Sequence, residues 1–346
     1  MSLLKSFLKL HCQKQSLRTI SNQANFKEVR IPVPWGEVRG KWWGPTDVRP
    51  ILTFHGWQDN CGSFDRLIPL LNNNVGYLAL DLPGHGYSSR LPPGIMYHSL
   101  HNFCLVKYVK QYLNWPKISL MGHSMGGITS FTYAMLYPSE IDFVVCIDGV
   151  KPLIPPLKKN RLTKVLDEFL KNSKFANNPH EPPSYTIAEM EMKVHLPNQG
   201  SINVEYAKYI LERNIAPSKL HPGKYYFTRD PRLKADKLGF LSQEEILDYA
   251  QNVNFPVFIA KALAAKYYEA KQNVYDVLDV LKRVSPHCEY HYVHGTHHVH
   301  LNDPGKELSG LINQFLMKYV TEDRSVGGLR EEMIVQEEKL TTKVVQ

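Results

Sequence analysis

The string with the clearest chemistry is Gly122-His123-Ser124-Met125-Gly126, a G-x-S-x-G lying between the apolar run ISLM and the stretch GITSFTYAML. A serine hydroxyl is a weak nucleophile until a base takes its proton. A tight strand-to-helix turn exposes the hydroxyl and aims a helix N-terminus at it, and small neighbours are needed because side chains there would strike the adjoining strand or helix. Ser124 is therefore the candidate nucleophile. Attack by its alkoxide creates an oxyanion that needs N–H donors already in place. One expected donor is the backbone N–H of Met125. The other is that of Trp57, in His55-Gly56-Trp57 after the run ILTF, where Gly56 lets the backbone come close. His55 and His85 read as loop-structuring residues rather than catalysts.

A base must approach Ser124 from the same edge. Gly295-Thr296-His297-His298-Val299-His300 follows the last strand-like run, and His297, the first histidine beyond the glycine, is the candidate base. His298 is the runner-up, and His300 reads as packing at the loop's end. With His291 and His294 nearby, the cluster invites a zinc reading. No carboxylate shares its spacing and no ligand string is complete, so neither metal nor cofactor is expected. The acid is less plainly marked. Its usual home, the loop after FPVFIA, reads KALAAKYYEAKQN and contains no aspartate. Asp148, ending FVVCID, is the candidate, and Glu269 and Asp276 are the alternatives if the later loop folds inward.

These residues need a frame that brings several strand ends to one edge. ILTFHG (51–56), YLALDLP (77–83), ISLMGHS (118–124) and IDFVVCIDG (141–149) are short, apolar and mostly rich in β-branched residues, like buried parallel strands. Segments 64–72, 97–115 and 127–138 between them read as helices. The pattern resumes with strands at 255–263 and 288–295 and helices near 274–284 and at 306–320. Strand–helix alternation implies an α/β architecture, a mostly parallel sheet flanked by helices. FKEVRIPVPWGEVRGKWWG reads as an antiparallel hairpin at its edge. Residues 151–250 break the rhythm with a proline-rich exit, a helically spaced Leu162, Val165, Leu166, Phe169 and Leu170, and two capping-box pairs, Thr186/Glu189 and Ser242/Glu245. They read as a helical cap between the sixth and seventh strands. The resulting division is a core of 26–150 and 251–322, a cap of 151–250, a leader or arm of 1–25 and a charged tail of 323–346, read as a solvated helix or loose segment.

The 346 residues are 43% hydrophobic and 21% charged, which is globular and excludes a disordered or fibrous chain. The net charge is +8, of which the acid-free first 27 residues supply five. The body is only mildly basic, so no nucleic-acid surface is expected. No apolar run approaches the length of a membrane span. The five cysteines are odd in number, widely spaced and without a CxxC pair, which points to a reducing, intracellular compartment. The basic, serine-containing leader could be a mitochondrial transit peptide or a frayed arm. The expected location is therefore mitochondrial or cytoplasmic.

HGWQDNCGSFDRLIPLL (55–71), LDLPGHGYSS (80–89), LMGHSMGG (120–127), CIDG (146–149), FTRDPRL (227–233) and HGTHHVHLNDP (294–304) together resemble the α/β-hydrolase superfamily. The resemblance is closest to its serine hydrolase-like branch, which includes the insect kraken proteins, and it extends over most of residues 27–320. It implies a cofactor-free serine hydrolase acting on esters or related acyl bonds, with a small-molecule substrate. The family's nucleophile maps to Ser124, its base to His297 and its acid to Asp148, the more common acid site being empty here. Relatives that cleave epoxides or haloalkanes use an aspartate nucleophile, which serine at 124 argues against. Thioester, carbon–carbon and peroxy-acid chemistry on the same triad, or a binding protein with an idle triad, are the alternatives.

Overall fold

The computed structural model describes residues 26–154, 160–235, 239–285, 287–320, 324 and 327–336. The basic leader at 1–25 lies outside the described residues. The chain opens with the hairpin β1 (Phe26–Val33) and β2 (Gly36–Trp43), then lays down β3 (Ile51–Phe54) and β4 (Tyr77–Leu80). Helix α1 (Ser99–Tyr112) leads to β5 (Ile118–His123), and α2 (Met125–Leu136) to β6 (Ile141–Ile147). Every residue of β3, β4 and β5 is buried, which is why these strands read as continuous apolar runs rather than alternating ones.

After β6 the chain leaves the sheet. It forms α3 (Arg161–Ala176), α4 (Ile187–His195), α5 (Ala207–Leu211) and a small hairpin of β7 (Ile215–Pro217) and β8 (Tyr225–Phe227). Both foreseen capping boxes form, Thr186 with Glu189 at α4 and Ser242 with Glu245 at α6 (Gln243–Ala250). The chain then returns to the sheet as β9 (Val257–Ala262), α7 (Lys271–Val284), β10 (Cys288–Val293), the short α8 (Val299–Asn302) and α9 (Gly310–Tyr319). Strand order is β1-β2-β4-β3-β5-β6-β9-β10, with the first two pairings antiparallel and the rest parallel.

Three details differ from the sequence reading. Segment 64–72 is not one helix but two short 3-10 turns, Cys61–Phe64 and Ile68–Leu70. Pro69 has no N–H to continue a helical ladder. Helix α6 falls inside the span assigned to the cap, yet it packs on the core: Ile246 and Ala250 are fully buried with Val253 and Phe255 among the residues beneath the sheet. The tail is not loose over its described part. Met333 is fully buried, Ile334 bridges to Val29, and the Trp115 indole donates to Gly327 O at 2.7 Å. Among the described residues no helix is long and apolar enough to cross a membrane.

Candidate active site

Ser124 sits between β5 and α2 with φ +51° and ψ −117°, a strained conformation for any residue with a side chain. The strain persists because the surroundings over-determine it. A Cβ on Gly122 would lie 2.2 Å from Gly126 C, and one on Gly126 would lie 2.0 Å from Phe54 O. The second contact seats the turn against the end of β3, so the His55-Gly56-Trp57 loop lies beside the residues that start α2. Ser124 N–H donates to Ile147 O at 2.9 Å, which ties the turn to the end of β6. Asp148 follows directly, also at positive φ (+47°), and Gly149 passes so close that a Cβ there would lie 2.5 Å from Ser124 O.

The neighbouring strand ends bring three predicted residues into one line. His297 Nε2 lies 2.9 Å from Ser124 Oγ, and His297 Nδ1 lies 2.5 Å from Asp148 Oδ2. The other Asp148 oxygen accepts from Ala262 N–H at 3.0 Å and from Lys261 Nζ at 2.6 Å. Lys261 carries no signal in the sequence that would link it to this site. Only the parallel pairing of β6 with β9 sets its ammonium against Asp148. Tyr268, 54% exposed, presents its ring edge-on 5.8 Å from His297. Burial and the Asp148 carboxylate both raise its phenol pKa.

The other candidates lie elsewhere. Glu269 is buried in an ion pair with Lys151 at 2.6 Å and also accepts from Ile154 N–H and Asn273 Nδ2. Asp276 accepts from Gln272 on α7. His298 turns away from Ser124, with Nε2 3.3 Å from Asp59 Oδ2 and Nδ1 2.8 Å from Ser201 Oγ. His300 is fully buried and packs at a tilt against His123, with ring centres 3.9 Å apart. His55 accepts from Leu82 N–H and His85 accepts from Gln58 N–H, so both shape loops. His291 and His294 pair at the surface with Glu289 and Glu307. Trp57 is 42% exposed, with its indole N–H bonded to Leu233 O of the cap, and Met125 is buried at the start of α2.

Two residues absent from the sequence reading, Asp59 and His123, lie behind His297. Burial, then the rings of His300, His297 and His298, hold the His123 pKa well below its usual value. Burial alone would raise the Asp59 carboxyl, but His298, His55 and His300 outweigh it and hold it low. His123 occupies the variable position of the G-x-S-x-G string, where its side chain could have been questioned. The cap also grips the histidine loop. Ser201 O accepts from Thr296 Oγ1 at 2.8 Å and from Asn302 Nδ2 at 2.6 Å.

A largely parallel sheet and a strained serine between strand and helix, facing a histidine from the last strand's loop, define a hydrolase of the α/β class. The chain belongs to the alpha/beta hydrolase fold family, whose model matches residues 49–304. It is similar to a probable serine hydrolase of Drosophila melanogaster, 35% identical over 83% of this chain and 87% of that one. A serine hydrolase-like protein of Danio rerio is 33% identical over 84% and 88%. Among solved structures, a hypothetical protein from Pseudomonas aeruginosa PAO1 superposes with a TM-score of 0.69 at 30% identity, over 85% of this chain and all of the other.

Proposed function

We propose that this hydrolase cleaves carboxylic esters of small or apolar molecules through a Ser124–His297–Asp148 triad. The observation that carries the reading is the unbroken run of contacts from Ser124 Oγ through the imidazole to the Asp148 carboxylate, 2.9 and 2.5 Å long. Ser124 Oγ attacks the acyl carbon while His297 Nε2 takes its proton. Asp148 holds the Nδ1–H tautomer and stabilises the imidazolium. The N–H groups of Met125 and Trp57 stabilise the oxyanion. Collapse expels the alcohol, protonated by His297, and leaves an acyl-enzyme. Water, deprotonated by the same imidazole, then releases the acid. No step calls for a cofactor. The cap, joined to the histidine loop through Ser201, selects the acyl or alcohol group. An intracellular setting, mitochondrial or cytoplasmic, fits the four free cysteines of the described chain.

The test is a panel of p-nitrophenyl esters of rising chain length, with matched acyl thioesters, assayed on wild type and Ser124→Ala. Ester turnover that depends on Ser124 and peaks at one chain length is expected. A thioester preference of on the order of tenfold or more would move the substrate class, since differences of a few contacts yield ratios of that size. Folded, stable protein with no turnover of any substrate would favour an idle binding role.

A further inference from the structure

Asp59 on the loop after β3, His123 at the end of β5 and His298 on the loop after β10 are remote in sequence and meet in the interior behind the catalytic edge. His123 Nδ1, His298 Nε2 and an Asp59 carboxylate oxygen all lie within 4.8 Å of one another, and all three residues are buried. The hydrogen bonds fix one tautomer. His123 Nε2 lies 2.8 Å from His297 O, and a carbonyl only accepts, so Nε2 carries the proton and Nδ1 presents a lone pair. That lone pair faces Asp59 Oδ2 at 3.8 Å, and both atoms are buried without a hydrogen-bond partner. Two acceptors facing each other across a buried gap repel unless a donor or a cation lies between them.

His298 Nε2 approaches the same Asp59 oxygen at 3.3 Å while its Nδ1 lies 2.8 Å from Ser201 Oγ, where Nδ1–H can donate. Each imidazole thus has its outer nitrogen anchored to oxygen and its inner nitrogen turned to the shared centre, the outer arrangement typical of metal-ligating histidines. Bonds of 2.0–2.1 Å to a tetrahedral metal set neighbouring ligand atoms about 3.4 Å apart. The 3.3 Å edge matches that spacing, and the 3.8 Å edge and the remaining one, within 4.8 Å, would have to close toward it. His300, buried with neither ring nitrogen hydrogen-bonded, lies tilted against His123 with ring centres 3.9 Å apart.

We propose that Asp59, His123 and His298 form a structural binding site for a divalent transition metal of the zinc class. The ion would join the loop after β3, the end of β5 and the histidine loop. It would pin His297 from behind through the bond between its carbonyl and His123 Nε2. This departs from the expectation of no metal, which considered only ligands close together in the sequence. It does not depend on the acyl-transfer reading, and its test needs no substrate.

The untagged full chain is refolded with Zn²⁺ or Co²⁺, desalted and analysed for bound metal and for the visible absorption of cobalt. Retention of about one equivalent, with the intense bands of a four-coordinate N/O site, is expected. Asp59→Asn and His298→Gln, each removing a proposed ligand, should weaken retention by on the order of 100-fold or more in a chelator competition, since loss of even an outer partner costs about 10–100-fold. His294→Ala, which alters only the exposed His294–Glu307 pair, should not. The wild-type spectrum stands even if a variant fails to fold. Wild type that retains no metal would overturn the proposal and leave Asp59 and His298 as a plain ion pair. Retention unchanged in both folded variants would overturn it equally.

Discussion

Three carboxylates compete, on sequence alone, for the place beside His297, and their surroundings separate them, Asp276 being bonded to Gln272 on α7. Asp148 is buried with one oxygen on His297 and the other on the Ala262 N–H and Lys261. Glu269 is sealed in an ion pair with Lys151, both side chains 1% exposed. Asp148→Asn should therefore lower kcat by about 10⁴, the order seen when a triad aspartate is neutralised. Glu269→Gln should keep near-normal kcat and lose stability, since removing one charge of a buried pair costs roughly 3–5 kcal/mol. Steady-state kinetics and denaturant melts of both variants check this, and a collapse of kcat in Glu269→Gln with none in Asp148→Asn would reverse the assignment. Ser124, His297 and Asp148 could be read from the sequence because each follows a strand with a glycine beside it. Lys261 and Asp59 could not, since their proximity to the site depends on strand pairing and on loops joined only in three dimensions, and His123, though next to Ser124 in the sequence, carries no sign there of the side chains it meets.

At the scale of elements, the site rests on how closely backbones pass. Gly126 packs against the end of β3 with no room for a methyl group, whereas a Cβ on Gly310 at the start of α9 meets nothing within 4 Å. Gly310 is also already helical, at φ −63° and ψ −46°. Gly126→Ala should abolish soluble, folded protein or cost several kcal/mol through overpacking against rigid backbone. Gly310→Ala should raise stability by about 0.4–1 kcal/mol by restricting the unfolded chain. Denaturant midpoints of the two variants measure both effects, and equal midpoints would mean that the elbow is not tightly packed. Elements were legible where a period or a cap marks them, as in the boxes at α4 and α6. Segment 64–72 was misread because its apolar spacing is helical while Pro69 breaks the ladder. The tail was misread because its charges mask Met333, which is buried, and Ile334, which bridges to β1.

Across the whole molecule, the cap is fastened to the core by buried charge. Arg213, 1% exposed and just beyond α5, bonds Asp81 at the end of β4 through Nε at 3.0 Å and Nη2 at 2.8 Å, and it also pairs with Glu28 on β1. Burial alone would raise the Asp81 carboxyl. Arg213 and the N–H groups of Cys61 and Tyr87 outweigh it and bring the pKa from 3.8 down to about 2. A carboxyl depressed in the folded state stabilises the fold above its unfolded pKa, and that stability is lost as pH falls through the folded value. The expected loss is on the order of 2 kcal/mol between about pH 5 and pH 2. Arg213→Met should be less stable at neutral pH, with a deficit that shrinks over the same window. Urea melts across that range test it, and a deficit independent of pH would contradict the assignment.

The central claim is that Ser124 is a nucleophile activated by His297, and it can be tested without knowing the substrate. A fluorophosphonate probe is incubated with wild type, Ser124→Ala, His297→Ala and His298→Ala, and the labelled peptide is identified by mass spectrometry. The account predicts one adduct, on Ser124, in wild type and none in Ser124→Ala. It also predicts labelling slowed by orders of magnitude in His297→Ala and far less in His298→Ala. An adduct on another residue, or a rate that falls with His298 and not with His297, would contradict it.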